Sequence, residues 1–282
     1  MRNLEIRFVA AAVAFATGIV SASAADLPAY PANKAPVVAS TEAYSWTGCY
    51  IGGNAGGGTS HSNFTTLVTA GPPGGNHLGP DSRDNVNRVA PGSADDAGFI
   101  GGGQVGCNWQ TGRIVLGIEG DFDYFGSEPS LTRSGVLSDE VSRFTITNSV
   151  KTNWLATVRP RVGLAFDRSI LYLTGGLALA NLRYIQSFSD DLLSHGIGDS
   201  SASGKQFGWT VGGGMEYALT NSWSVKGEYL YAQFSSIAAV GNITTVAIGP
   251  FTNGLQGTAD LKTHIFRVGA NYHFNNPVGV RY

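Results

Sequence analysis

From Phe207 to Tyr231 the chain alternates with a period of two. Phe207, Trp209, Val211, Met215, Tyr217 and Leu219 share one parity; Gly208, Thr210, Gly212, Gly214 and Glu216 share the other. After Thr220-Asn221 the alternation restarts, with Trp223, Val225, Tyr229 and Tyr231 against Ser224, Lys226 and Glu228. Such a period predicts a hairpin whose side chains point to opposite faces. The apolar face carries its aromatic rings mainly at the strand ends, and the other face is glycine and charge. In a soluble sandwich the apolar face would be the core and the charged face would see water; here the aromatics gather at the strand ends and the opposite face is too small and too charged for an ordinary core. The pattern predicts a barrel turned inside out, lipid outside and polar groups inside.

Eight alternating segments follow from Trp46 onward, at about 45–58, 97–110, 113–125, 151–166, 169–183, 205–219, 222–233 and 261–274. Thr111-Gly112, Asp167-Arg168 and Thr220-Asn221 read as tight turns. Residues 59–96, 126–150, 184–204 and 234–260 read as long polar loops. Long and short connections alternate, as in an up-and-down transmembrane barrel with short periplasmic turns and long outer loops. The expected fold is all-β, an eight-stranded antiparallel up-and-down transmembrane β-barrel. Trp46, Trp109, Phe166, Tyr217, Trp223 and Phe274 fall at the periplasmic ends. Phe99, Phe122, Tyr124, Trp154, Trp209, Tyr229, Tyr231 and Phe266 fall at the outer ends. Two aromatic girdles at the two interfaces account for this sorting. A soluble lipocalin-like barrel is the rival architecture.

The start of the chain reads as a leader. Arg2 and Arg7 precede an apolar run from Phe8 to Val20, too short to span a bilayer, and Ala22-Ser23-Ala24 fits a cleavage site. The expected division is 1–24 signal peptide, 25–44 extended periplasmic tether carrying Pro28, Pro31 and Pro36, and 45–282 barrel with four long outer loops. The full chain carries a net charge of −2, and removing Arg2, Arg7 and Glu5 leaves −3, with no basic stripe for nucleic acid.

Parity assigns the lumen. Gly117, Glu119, Asp121 and Asp123 point inward on the third segment, and Arg159, Arg161 and Gly163 on the fourth. An eight-stranded barrel is nearly filled by its own side chains, and buried charges there must pair. The expected network is Glu119, Asp121, Glu216 and Glu228 with Arg159, Arg161, Lys226 and Arg267. It serves either as a plug, the reading a crowded lumen favours, or as a narrow ion path.

Enzymatic readings find little support. Glu119-x-Asp121 invites an acid–base pair, but carboxylates held ionised by arginines suit neither role. His61, His77 and His195 fall in expected loops without a serine-and-acid partner, and His264 and His273 stand isolated on the last segment. No metal-ligand spacing or cofactor motif is expected. The Gly101–Gly106 run fits a dinucleotide motif formally, yet alternation continues through it and no helix follows. Cys49 and Cys107 fall on outward faces of adjacent segments and read either as a disulfide or as two small lipid-facing residues.

Together, Ala25-Asp26-Leu27-Pro28, Ser45-Trp-Thr-Gly-Cys-Tyr-Ile-Gly-Gly-Asn54, Gly98-Phe-Ile-Gly-Gly-Gly-Gln-Val-Gly106, Gly117-Ile-Glu-Gly-Asp121, Arg159-Pro-Arg-Val-Gly163, Tyr172-Leu-Thr-Gly-Gly176 and Arg267-Val-Gly-Ala-Asn-Tyr272 carry a resemblance. The chain resembles the small porin-like outer-membrane β-barrel proteins of alphaproteobacteria, within the OmpA-like barrel group, which include rhizobial outer-membrane proteins and surface antigens of related pathogens. The resemblance implies an outer-membrane location and roles in envelope integrity, surface antigenicity or limited solute passage, with no catalytic residues. It implies outer-membrane lipids, lipopolysaccharide and the barrel-assembly machinery as partners, the last through a terminal aromatic, Phe274 or Tyr282. Rival functions are a porin for small solutes and a lipid-modifying enzyme, which would need a Ser/His/acid cluster at one rim. Two departures stand out. Family members usually carry aromatics where Cys49 and Cys107 stand, which favours a disulfide. Pro160 removes a ladder hydrogen bond, so a local bulge or water contact is expected there.

Overall fold

A computed structural model of the chain describes residues 44–247, 249 and 251–274. By packing these belong to one unit, 42–282. The expected leader, all of the tether except Tyr44, and Tyr282 lie outside the described residues.

Nine strands appear among them: β1 Gly48–Thr69, β2 Gly92–Thr111, β3 Ile114–Ser127, β4 Ser130–Val136, β5 Arg143–Phe166, β6 Ser169–Asp190, β7 Gly196–Ala218, β8 Trp223–Thr245 and β9 Thr252–Phe274. A short helix, α1, runs from Pro80 to Val89. Every pairing is antiparallel, in the order β3-β2-β1-β9-β8-β7-β6-β5, and β3 pairs with β5 to close the ring. Eight strands therefore make the barrel, and β4 hangs on the outer part of β5 alone. Closure leaves no sheet edge for lipid to meet. The tight turns fall where the sequence places them. Gly112 and Asp167 take positive φ of 60° and 53°, a conformation glycine adopts freely and aspartate tolerates.

The long outer loops of the sequence reading are corrected. β5 has 24 residues and β7 has 23, whereas a transmembrane strand needs about 9–11. Most of 59–69, 92–96, 143–150, 184–190, 196–204, 234–245 and 252–260 is strand that continues beyond the aromatic belt. True outer connections are short, apart from 70–91, which holds α1.

The extension is possible because each strand exchanges its polarity partway along. On β9, Phe274, Tyr272, Val268 and Phe266 face out with Asn271 and Arg267 behind them. Further along, His264 and Asp260 face out with Ile265, Leu261 and Ala259 behind. β6 does the same: Leu171, Leu173 and Leu177 face out in the lower half, while Arg183 and Ser187 face out above, backed by Leu182, Tyr184 and Phe188. Outward hydroxyls pair across strands there, Thr132 with Thr147 at 3.0 Å and Ser134 with Thr145 at 3.0 Å. The lower half is a membrane barrel and the upper half an ordinary water-facing cylinder with an apolar core.

Pro160 produces no bulge. Val158 pairs with Leu177 and Arg161 with Thr174, the same register on either side. The Pro160 carbonyl accepts the Thr174 hydroxyl at 2.9 Å.

Candidate functional site

The lumen is assembled by register. Glu119 stands opposite Arg159, Gly117 opposite Arg161, Glu216 opposite Lys226 and Glu228 opposite Arg267. Inward parity then turns these pairs toward one another. Arg159 Nη2 donates to Glu119 Oε1 at 2.7 Å and to Asp121 Oδ2 at 2.8 Å. Arg267 Nη2 donates to Asp121 Oδ2 at 2.8 Å and its Nε to Glu228 Oε2 at 2.9 Å. Arg161 Nη1 donates to Glu216 Oε2 at 3.1 Å. Lys226 Nζ reaches Glu119 Oε1 at 2.8 Å rather than the Glu216 facing it in the ladder. β3 and β8 lie four places apart in a ring of eight, so this bond joins opposite walls.

All eight expected lumen residues thus meet in one cluster. The structure adds members. Asp123, inward in the sequence but not placed in the network, pairs with Arg267 Nη1 at 2.5 Å. Tyr50 Oη donates to Glu119 at 2.6 Å and Tyr172 Oη to Glu228 at 3.0 Å. Asn108 accepts from Arg161 Nε, and Asn271 donates to Glu216. Parity marks these residues as inward; nothing in one strand's sequence reveals which distant strand each will meet. Small inward residues make the room: a Cβ at Gly106 would collide with the Tyr50 hydroxyl, and one at Gly214 would lie 2.7 Å from that of Tyr172.

Apolar layers bound the network at both ends. Below it, Tyr44 and Trp46 turn into the mouth and pack with Val115, Ala165, Ile170 and Ala218. Trp46 is 0% exposed, its backbone N–H donating to Gln110 at 2.7 Å. It closes the mouth rather than joining the lipid-facing periplasmic girdle where the sequence places it, because it precedes β1 and strand parity does not govern it. Burial, with Glu216 adding to it, pushes the Tyr44 phenol up to about 12, so it stays neutral there. Above the network, Phe64, Ile100, Phe125, Leu155, Leu182 and Leu230 belong to one buried cluster. A polar layer follows, where Gln186 donates to Asn148 and Thr66, both at 2.9 Å. Val86 of α1 then caps a second cluster with Val68, Leu78, Phe144 and Phe188. Asn87 fastens α1 by accepting the Val68 N–H at 2.6 Å.

Three expectations about histidines are corrected. His77 is not without partners: its Nε2 lies 2.7 Å from Asp190 Oδ2 and its Nδ1 3.0 Å from Ser194 Oγ. Asp190 also accepts the N–H groups of Leu192 and Gly196. The His77 and Asp190 side chains are fully enclosed, so the imidazole is out of a substrate's reach and the trio fastens the 70–79 segment to the β6–β7 turn. His264 is bonded to the Tyr229 hydroxyl at 2.7 Å on the outer face. His273 lies in the lumen, 2.8 Å from Ser224 Oγ and 3.5 Å from Glu216.

Cys49 and Cys107 stand directly opposite in the β1–β2 register, with their sulfurs joined at 2.07 Å on the outward face. Denatured, unreduced protein is expected to show no reactive thiol in a thiol-titration assay; two free thiols would reject the bond.

The sequence matches the family described as "Outer membrane protein beta-barrel domain" over residues 11–274. It is 35% identical over 279 residues to a 31 kDa outer-membrane immunogenic protein of Brucella melitensis, covering 97% of this chain and 100% of that one. A 22 kDa outer membrane protein of Rhizobium leguminosarum bv. viciae is 36% identical over 137 residues, 48% of this chain and 53% of that one. The crystal structure of Ail, the attachment invasion locus protein of Yersinia pestis, aligns over 79% of this chain and 99% of its own, at 11% identity and a TM-score of 0.32.

Proposed function

Because the chain belongs to the outer membrane protein β-barrel domain family, we propose that it acts as a sealed wall element of the outer membrane that raises a rigid β-cylinder above the cell surface. The observation that carries this is the Lys226–Glu119 bond across the full width of the lumen, with apolar layers above and below it. Such a network holds a plug in place and presents a defined surface outside. The 31 kDa relative is named an immunogenic protein; a long exposed cylinder suits that role. Outer-leaflet lipids and lipopolysaccharide would surround the lower half, and the barrel-assembly machinery would insert it.

The porin reading needs a continuous water path past Lys226 and Glu119. Proteoliposomes carrying the folded chain are expected to swell in arabinose no faster than protein-free ones. Swelling that rises with protein content and falls with sugar size would favour the porin.

We also propose that the chain is not an enzyme. Glu119 and Asp121 are 2% and 6% exposed and each is held by at least two cations, and His77 is enclosed. Labelling of Ser194 by a fluorophosphonate would overturn this.

A further inference from the structure

We propose that Lys151, Arg183 and Lys205 form a site on the outer wall for the phosphate groups of a phosphorylated glycolipid of the outer leaflet, the lipopolysaccharide class. This rests on the outer-membrane reading above and adds to it a defined lipid contact.

The three cations lie on adjacent strands β5, β6 and β7, all exposed on the outward face. Lys151 is directly opposite Arg183 in the β5–β6 register. Lys205 is opposite Asn181, one diagonal step from Arg183. Directly opposed side chains have Cβ atoms about 4.5–5.5 Å apart, and diagonal ones about 7–8 Å. Like charges so placed repel unless an anion lies between them. The chain supplies little: Glu128 meets Lys151 at 3.2 Å, each about half exposed (49% and 50%). Among the described residues no carboxylate pairs with Arg183 or Lys205. The opposite wall is built differently at a similar height. There Lys262 has a carboxylate of its own, Asp260 at 3.7 Å, and His61 lies 2.7 Å from Asp95, whereas Arg183 and Lys205 have none among the described residues.

The height identifies the occupant. Lys205 is two residues beyond Phe207, and Arg183 four beyond Leu179; two residues of strand are about 7 Å. Toward the membrane, Leu179 pairs with Phe207 and Leu177 with Trp209, and Leu177 and Phe207 are each 70% exposed. An anion at the cations therefore sits directly above apolar surface, which suits a phosphate headgroup whose acyl chains lie along that surface. Arg183 adds a planar fork of donors matched to phosphate oxygens.

The test uses the full chain folded in detergent micelles, titrated with diphosphoryl lipid A and with the same lipid dephosphorylated. Bound lipid is counted by native mass spectrometry. Each basic residue beside an anionic membrane surface strengthens association about fivefold. The wild type is therefore expected to hold the phosphorylated form at least about tenfold more tightly, and the combined Lys151→Gln, Arg183→Gln, Lys205→Gln variant to lose that preference. Lys262→Gln is expected to bind as the wild type does. Equal binding of the two lipids, an unchanged triple variant, or inorganic phosphate binding as tightly as lipid A would overturn the proposal. Gel mobility on heating and ion conductance of the same samples report separately on the barrel and its plug, so failure of the lipid site is distinguishable from failure of the sealed-wall reading.

Discussion

Arg267→Met is expected to destabilise the folded barrel by about 3–5 kcal/mol, the cost of leaving a buried charge uncompensated. Arg267 touches Asp121, Asp123 and Glu228, and its guanidinium is fully enclosed. Methionine restores much of the volume, so the loss is electrostatic rather than a cavity. Three carboxylates would be left to Arg159 and Lys226, which are already shared with Glu119. Adding Asp123→Asn to Arg267→Met is expected to recover part of the loss, because it removes one of the stranded charges. Urea unfolding in lipid vesicles, followed by tryptophan fluorescence, measures both effects. A loss below about 1 kcal/mol for Arg267→Met would mean that water already fills this space.

The second large effect comes from one strand whose outward face changes character along its length. On β6, Leu173→Arg places a charge against lipid and is expected to cost about 2–4 kcal/mol. Ser187→Arg, on the same face beyond the aromatic belt, is expected to stay within about 0.5 kcal/mol. Leu182→Ala, inward above the network, empties part of a buried apolar cluster and is expected to cost about 2–5 kcal/mol. The same unfolding assay orders the three. Comparable costs for Leu173→Arg and Ser187→Arg would place both residues in one environment and remove the exchange of polarity.

That exchange also explains what the sequence discloses and what it hides. In the lower half, apolar-out alternation is strong because lipid demands it. The hairpin from Phe207 to Tyr231 and the inward Glu119, Asp121, Arg159 and Arg161 are therefore legible from parity alone. In the upper half the outward residues are mostly polar, with Leu67, Ile185, Ile197 and Val240 scattered among them, and many inward ones are small, such as Ala178, Ala180, Ala232 and Ala259. Alternation of that kind resembles a polar loop unless Leu182, Tyr184 and Phe188 are read as a second, inverted pattern. α1 hides behind Pro72-Pro73 and has only ten residues. Trp46 escapes parity because it precedes its strand, which begins at Gly48. The His77–Asp190–Ser194 trio joins residues 113 and 117 positions apart; no local spacing could announce it. Asp123 shows the intermediate case: its parity marks it as inward, but only the closing of β3 onto β5 and the reach of Arg267 give it a partner.

The sealed lumen is tested most directly by single-channel recording of purified, folded protein in a planar lipid bilayer. A silent membrane at either polarity is expected, because Lys226 and Glu119 join opposite walls and Trp46 closes the mouth below them. Five lumen carboxylates, Glu119, Asp121, Asp123, Glu216 and Glu228, face four cationic groups, Arg159, Arg161, Lys226 and Arg267, so a path through this network would favour cations. Steady, reproducible, cation-selective steps from the wild-type chain would show an open path through the lumen and overturn the sealed barrel.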